Sequence, residues 1–314
     1  MTAIADRRPT LAANGIGAGR KLKNHLATGL AVGSFLVALV PLVWLLWTVV
    51  GKGWHVLANA GWWTRNQRSL VYTDPGGGAY HAILGTVEQV GLTSVISIPV
   101  GLLVAIYLVE YGRGPFARVT TFMVDILTGV PSIVAAVFVY SLLIVTLGGQ
   151  KAGWLVSMAL VMLMIPVIVR TTEEMLRLVP DELREAAYAL GVPKWRTIVR
   201  VVLPTAMNGI LTGIVLGIAR VAGETAPLLV LVNYNPSTNN SLFNGPQGAL
   251  TTMIADNFHY YSSSQTFAIV NNKSVPVHNY AVDRVWGAAL TLVLFVMLLN
   301  LIARLIGRYK KIPD

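Results

Sequence analysis

The chain has 314 residues, of which 54% are hydrophobic and only 12% charged, with a mean hydropathy of +0.63. Those values exclude an ordinary water-soluble domain, and apolar runs longer than the ~18 residues a membrane helix requires exclude an outer-membrane barrel, whose ~10-residue segments alternate. The lack of cysteine excludes a disulfide framework, thiolate catalysis and cysteine-ligated metals, while the formal charge of +10 raises the question of nucleic acid.

The chain reads as an all-α integral membrane protein with six transmembrane helices at about 25 to 50, 82 to 109, 119 to 147, 153 to 170, 209 to 233 and 284 to 306. With both termini in the cytoplasm, 17 of the 24 Lys and Arg residues fall in cytoplasmic segments and at their span edges, six fall outside, and Arg220 lies within a span. That skew is the positive-inside pattern of a bacterial multi-pass membrane protein. A nucleic-acid binder would gather the charges on one soluble face instead, so nucleic acid is dismissed as a partner.

Taken in chain order, residues 1–24 read as a flexible cytoplasmic arm and 25–308 as one polytopic domain. The first span follows Arg20, Lys21 and Lys23 and precedes Ala58-Asn59-Ala60, as in a signal peptide. Its apolar run of ~26 residues is too long for a signal core of ~7 to 15, so it reads as a retained anchor. The external loop 51–81 carries Trp54, Trp62, Trp63, Tyr72 and Tyr80 around Asp74-Pro75-Gly76, which suits an interfacial aromatic belt. Glu88 falls in the outer half of the second span. In the third, Asp125 lies ~10 Å from the cytoplasmic end, and Pro131, beside Gly129 and Ser132, is expected to kink a continuous helix as a gate would. Pro166 is expected to kink the fourth, which ends at Arg170. Asp125 and Arg170 either join near the inner mouth or each reach water by snorkelling.

The cytoplasmic loop 171–208 is far longer than a connector needs. Pro180-Asp181 can open a short helix that Gly191 ends in a left-handed cap, and Pro193 can open a second helix with Trp195 and Ile198 on one face. Two short rods meeting at a glycine make a projection that can fit a cleft on a cytosolic protein. The fifth span then places Arg220 ~17 Å deep, where an unpaired Arg costs ~2.5 to 3.5 kcal/mol. Gly209, Gly213 and Gly217 recur every fourth residue as a close-packing face, and Arg220 projects on the same side, so its charge is expected to point into the bundle. Glu224 can pair with Arg220 across one turn. The external segment 234–283, polar and interrupted by Pro236, Pro246 and Pro276, either meets a soluble partner or is a solvated connection. Residues 309–314 form a cytoplasmic tail.

Glu185-Ala186-Ala187, with Gly191 four positions on and then Val201, Leu203 and Pro204, resembles the EAA motif of ABC-importer permeases. Val201 replaces the usual Ile, a volume-similar swap. The strings Gly129 to Val134, Ala219 to Pro227 and Thr251 to Ile254 resemble the PstA-type permeases of phosphate importers, and the likeness covers roughly residues 80–306. The resemblance implies the type I importer fold, with Glu185, Ala186, Ala187, Gly191, Pro193, Leu203 and Pro204 in the coupling region. It also implies a second permease of PstC type, two cytosolic PstB-type ATPases that use ATP and Mg, and a soluble PstS-type phosphate-binding protein. Alternating access driven by the ATPases would follow.

The chain has no Gly-x-x-x-x-Gly-Lys-Ser/Thr loop, and no His/Asp/Glu grouping suggests a metal, so no cofactor is expected on it. A guanidinium offers paired donors to phosphate oxygens, which makes Arg220, with Glu224, the foremost pathway candidate. A buried Arg-Glu pair that merely fixes helix packing is the competing reading. Glu88, Asp125, Pro131, Ser132 and Arg170 are weaker pathway or gate candidates. Alternative functions are import of another oxyanion, sulfate or molybdate, or a polytopic membrane enzyme or self-contained channel, though no catalytic grouping within the spans supports the enzyme.

Overall fold

The computed structural model describes residues 18–262, 267–270, 273–276 and 278–309. The expected arm therefore shortens: residues 1–17 and 310–314 lie outside the described residues, and α1 (Ala18–Leu57) already covers 18–24. The chain divides into two compact units, Met1–Gly51 and Lys52–Asp314. In the first, α1 runs through a sequence apolar on every side, including Pro41, as suits a helix in hydrocarbon.

In the second unit, α2 (Ala60–Thr64) precedes α3 (Tyr80–Ile106), which widens into a π-helical turn at Tyr107–Tyr111. Next come α4 (Pro115–Gly129), α5 (Ser132–Val139) with a second π turn at Tyr140–Thr146, and α6 (Gly153–Arg177). Then follow α7 (Asp181–Ala189), α8 (Lys194–Thr197), a third π turn at Ile198–Val202, α9 (Leu203–Ala222) and α10 (Ala226–Leu231). The chain ends with α11 (Leu250–Ser262), an antiparallel hairpin of β1 (Phe267–Val270) and β2 (Lys273–Pro276), and α12 (Tyr280–Tyr309).

Helix α6 is the spine. Its Leu155, Val156, Ala159, Leu160, Met164, Ile168 and Leu176 are all buried, with α3 and α9 packed along it. Lipid is as apolar as leucine, so such helices associate through close packing rather than by escaping water. Glycine supplies the closeness: a Cβ on Gly101 of α3 would lie 2.7 Å from Ile168, and one on Gly213 of α9 would overlap Thr171. Outward residues such as Leu103 and Met297 stay exposed, as lipid-facing side chains do.

Two expected spans are corrected. The third is not one kinked helix over 119–147: α4 and α5 meet at a bend of 106°. Pro131 disfavours helical backbone at the residue before it, and Val130 is accordingly extended, with φ −70° and ψ 123°. Pro166, by contrast, sits inside α6 without ending it. The fifth span is displaced as well. Its helical path begins at Lys194, runs through the third π turn and stops at Ala222, short of the expected end at Asn233. Gly223 and the first-turn Pro227 of α10 interrupt the backbone there.

The segment after α10 is packed rather than solvated over part of its described length. Gln247, Ala249, Leu250, Thr252 and Met253 are buried, and α11 packs on α12. Gly85 of α3 lies so close to the Gly248 carbonyl that a Cβ would overlap it. The aromatic belt is also thinner than expected. Trp54, Trp63, Tyr72 and Tyr80 are exposed, but Trp62 is buried against Gly287 and donates to Thr291 Oγ1 at 2.9 Å.

Candidate functional site

Arg220 occupies the last turn of α9 and is exposed. The buried stripe of that helix runs through Ala206, Ile210, Gly213, Ile214, Gly217 and Val221, with Ala222 also buried off the stripe in the last turn. At 100° per residue its centre lies about 70° from Arg220, which therefore sits on the rim of the packing face. The expectation that the charge points into this chain's bundle is thus corrected: the guanidinium faces outward, at the point where the membrane helix stops. A cation at a helix C-terminus is favourably placed against the helix dipole.

Glu224 does not pair with Arg220 among the described residues. The helix ends at Ala222, so the two lack the one-turn spacing an i, i+4 pair requires, and Glu224 instead continues a turn in which its N–H donates to Val221 O at 3.2 Å. Its half-buried side chain lines a small cavity with Thr86, Gln89 and Thr251. The competing reading of a buried Arg-Glu pair fails on the same geometry.

Of the weaker candidates, Glu88 accepts from Gln247 Nε2, and Gln247 Oε1 accepts from Gln89 Nε2 at 2.9 Å, tying α3 to the segment before α11. Asp125 and Arg170 do come together. Arg170 bridges Asp125 of α4 to Glu173 (2.8 Å), and Glu173 also accepts from Arg177 at 2.7 Å. The Arg170–Asp125 pair joins α4 to α6 before the break at Pro131, beside the apolar contact of Val124 and Ala117 with Val169 and Ile165, while Ser132 opens α5 after it. Snorkelling of separate charges does not describe this pair.

At the same end of the bundle lies α7. Asp181 and Glu182 occupy its first turn, where the helix dipole favours carboxylates. Gly191 takes φ +72°, Gly191 N donates to Tyr188 O at 2.9 Å and Val192 N to Ala187 O at 3.1 Å. These two bonds close the helix in a Schellman cap, which needs the left-handed glycine. Glu185, Ala186, Tyr188 and Leu190 are exposed, so α7 offers a mixed apolar and acidic surface, while Ala187 is buried. Pro193 caps α8. Leu203 and the exposed Pro204 start α9. The second expected rod is not separate: α8, the third π turn and α9 form a single helical path of 29 residues, about 43 Å long, from Lys194 to Ala222.

The contacts that position α7 escape sequence reasoning. Arg184 Nη2 and Nε donate to Glu110 Oε1 at 3.1 and 3.2 Å, Nη1 donates to Val179 O at 2.7 Å and Asp181 Oδ1 at 3.0 Å, and Nη2 reaches Leu176 O at 3.0 Å. Lys194 donates to the Glu110 carbonyl and lies 4.7 Å from the Tyr111 ring centre. Glu110, its side chain only 5% exposed, thus gathers the end of α3, the start of α7 and the start of α8. A carboxylate at a span edge is the one signal of this clamp that the sequence carries.

The family described as binding-protein-dependent transport system inner membrane component matches residues 97–310. A phosphate transport system permease protein, PstA 1 of Mycobacterium tuberculosis (strain ATCC 25618 / H37Rv), is 53% identical over 287 residues, covering 91% of this chain and 88% of its own length. The PstA of Yersinia pestis is 38% identical over 302 residues, covering 94% and 93%. Among solved structures, a bacterial alginate ABC transporter crystallised with its pentasaccharide-bound periplasmic protein has a chain of similar fold, with a TM-score of 0.62 at 13% identity over 93% of this chain and 97% of that one. The MetNI methionine transporter in an inward-facing form gives 0.52 at 19% identity over 74% and 94%.

Proposed function

Since this chain belongs to the binding-protein-dependent transport system inner membrane components, as a PstA-type permease, we propose a mechanism in which helix α7 and Arg220 act as the two ends of one lever. The chain is the membrane-spanning subunit of a phosphate importer, a multi-pass inner-membrane permease of the type I fold and not an enzyme; the ATPase of such systems is a separate subunit.

Its partners are then a second, PstC-type permease, two PstB-type ATPases that bind ATP and Mg, and a soluble PstS-type phosphate-binding protein. Both termini and α7 lie on the cytoplasmic side, in keeping with the charge skew. The exposed surface of α7 seats in the ATPase, and closure of the two ATPases moves α7 and, through it, the membrane helices between outward- and inward-open states. Arg220, exposed on this chain, faces a lumen completed by the second permease, where its fork of donors meets phosphate oxygens. Glu224, unpaired with it, keeps anion binding weak enough for release.

One observation carries the coupling: the unbroken helical path from Lys194, three residues past the Gly191 cap, to Arg220. A push at α7 crosses the short turn 190–193, braced by the Gly191 cap and by the Glu110 contacts to Arg184 and Lys194, and then reaches the pathway charge through the backbone hydrogen bonds of that path. The test is phosphate uptake by the complete transporter reconstituted in vesicles. Arg220→Gln is expected to lower uptake by roughly tenfold or more, the worth of one charge-assisted contact, with the complex still assembled. Normal uptake by that variant would remove Arg220 from the path.

A further inference from the structure

Beyond the transport path, a cleft of about 400 Å³ opens at the α7 end of the bundle, between the turn before α4, the first turns of α4 and the last turn of α6. Gly112, Gly114, Arg118 and Thr121 line one wall, Glu173 and Arg177 the other. Arg118 is exposed and has no ion-pair partner among the described residues. The one carboxylate in the wall, Glu173, is already paired: one oxygen accepts from Arg170 and the other from Arg177. Counting Asp125, which Arg170 also holds, three guanidiniums face two carboxylates, so the cleft keeps a net positive charge. Arg177 gives Nη2 to Glu173, leaving further donors of its fork free. Thr121 adds a hydroxyl.

The surroundings place this charge at a membrane interface. Just past the cleft, α4 turns Phe116, Val119, Phe122 and Met123 outward at i, i+3 and i+4 spacing, with Tyr111 exposed before them. A basic pocket bordered by an apolar, aromatic-bearing helix face has the chemistry of a site for a phosphate headgroup with its acyl chains alongside.

We propose that this cleft is a phosphoryl-group site, separate from the Arg220 path, with Arg118 and Arg177 as its ligands and Thr121 as a supporting donor. The phosphoryl group comes either from an anionic phospholipid, whose chains lie along Phe116 to Met123, or from phosphate in solution on the α7 side. Arg113, between Gly112 and Gly114 in the chain but not itself part of the lining, is the control for general surface charge.

The assembled transporter in nanodiscs of mixed phosphatidylcholine and phosphatidylglycerol, released into native mass spectrometry, reads the lipid arm. Retained phosphatidylglycerol is expected to fall about tenfold in Arg118→Gln, partly recover in Arg118→Lys and stay unchanged in Arg113→Gln. In pure phosphatidylcholine discs, inorganic phosphate protecting Arg118 from phenylglyoxal would assign the site to the solution anion. Absence of both effects, or an equal lipid loss in Arg113→Gln, overturns the proposal. Because Arg118 is exposed and outside the transport path, failure here leaves the function of Arg220 standing.

Discussion

At the level of single residues, charge decides most of what is distinctive. Arg220 is legible from sequence as an arginine that hydrocarbon would not tolerate, but its direction is not, because direction depends on where the helix stops. Gly223 and Pro227 end α9 early and leave the guanidinium on the rim. Asp256 of α11 shows the opposite case. Burial pushes its carboxyl above the usual range, against a smaller lowering effect from His259. A raised folded value means that this group favours the fold when protonated. That contribution is complete below the unfolded Asp value of about 4 and is lost as pH rises through the folded value. Asp256→Asn, which mimics the protonated form, is therefore expected to raise the unfolding temperature at neutral pH, the gain vanishing near pH ~4; a gain independent of pH would contradict this. Burial likewise raises the nearby Tyr234 phenol, which keeps its proton and donates to Gln67 Oε1 at 3.2 Å.

At the level of elements, α7 shows how much a local reading can reach. Its opening at Pro180-Asp181 and its glycine cap follow from backbone preferences that act over four residues, so both are visible in the sequence. The Glu110 contact joins positions 74 residues apart, and no local rule predicts it. Glu110→Gln is expected to cost about 1 to 3 kcal/mol, since Arg184 keeps its backbone acceptors Val179 and Leu176 while losing a buried charged one. The functional readout is a lower ratio of phosphate imported to ATP hydrolysed, with subunits still assembled. An unchanged ratio would mean that α7 is positioned without this clamp. The break at Pro131 belongs to the same scale: a proline in a hydrophobic run announces a disturbance, but α6 continues through Pro166 whereas the helices on either side of Pro131 are bent by 106°. The difference lies in Val130, which is extended, and in the Arg170–Asp125 ion pair and the apolar contact of Val124 with Val169 that join α4 to α6 before the bend.

For the whole molecule, α6 is the axis on which α3 and α9 pack, and the spacing is set by glycines rather than by large side chains. Gly213→Leu would have to displace Thr171 and is expected to cost about 1 to 3 kcal/mol or more of packing, lowering the yield of assembled transporter. Wild-type yield and uptake in that variant would show that α6 and α9 have slack. Membrane-spanning helices, the side that carries the positive charge, the projecting helix that Gly191 ends and the motifs of an importer permease can all be read from the residues alone. They are properties of composition, of short-range backbone preference and of spacing, and they hold without knowledge of what touches what. The turn at Pro131, the outward aspect of Arg220 apart from Glu224, the burial of the polar segment before α11 and the joining of α8 and α9 into one helical path required the packed molecule. Each of those outcomes balances backbone breaks and distant partners against one another, and that balance exists only once α6 has brought the other helices to its surface.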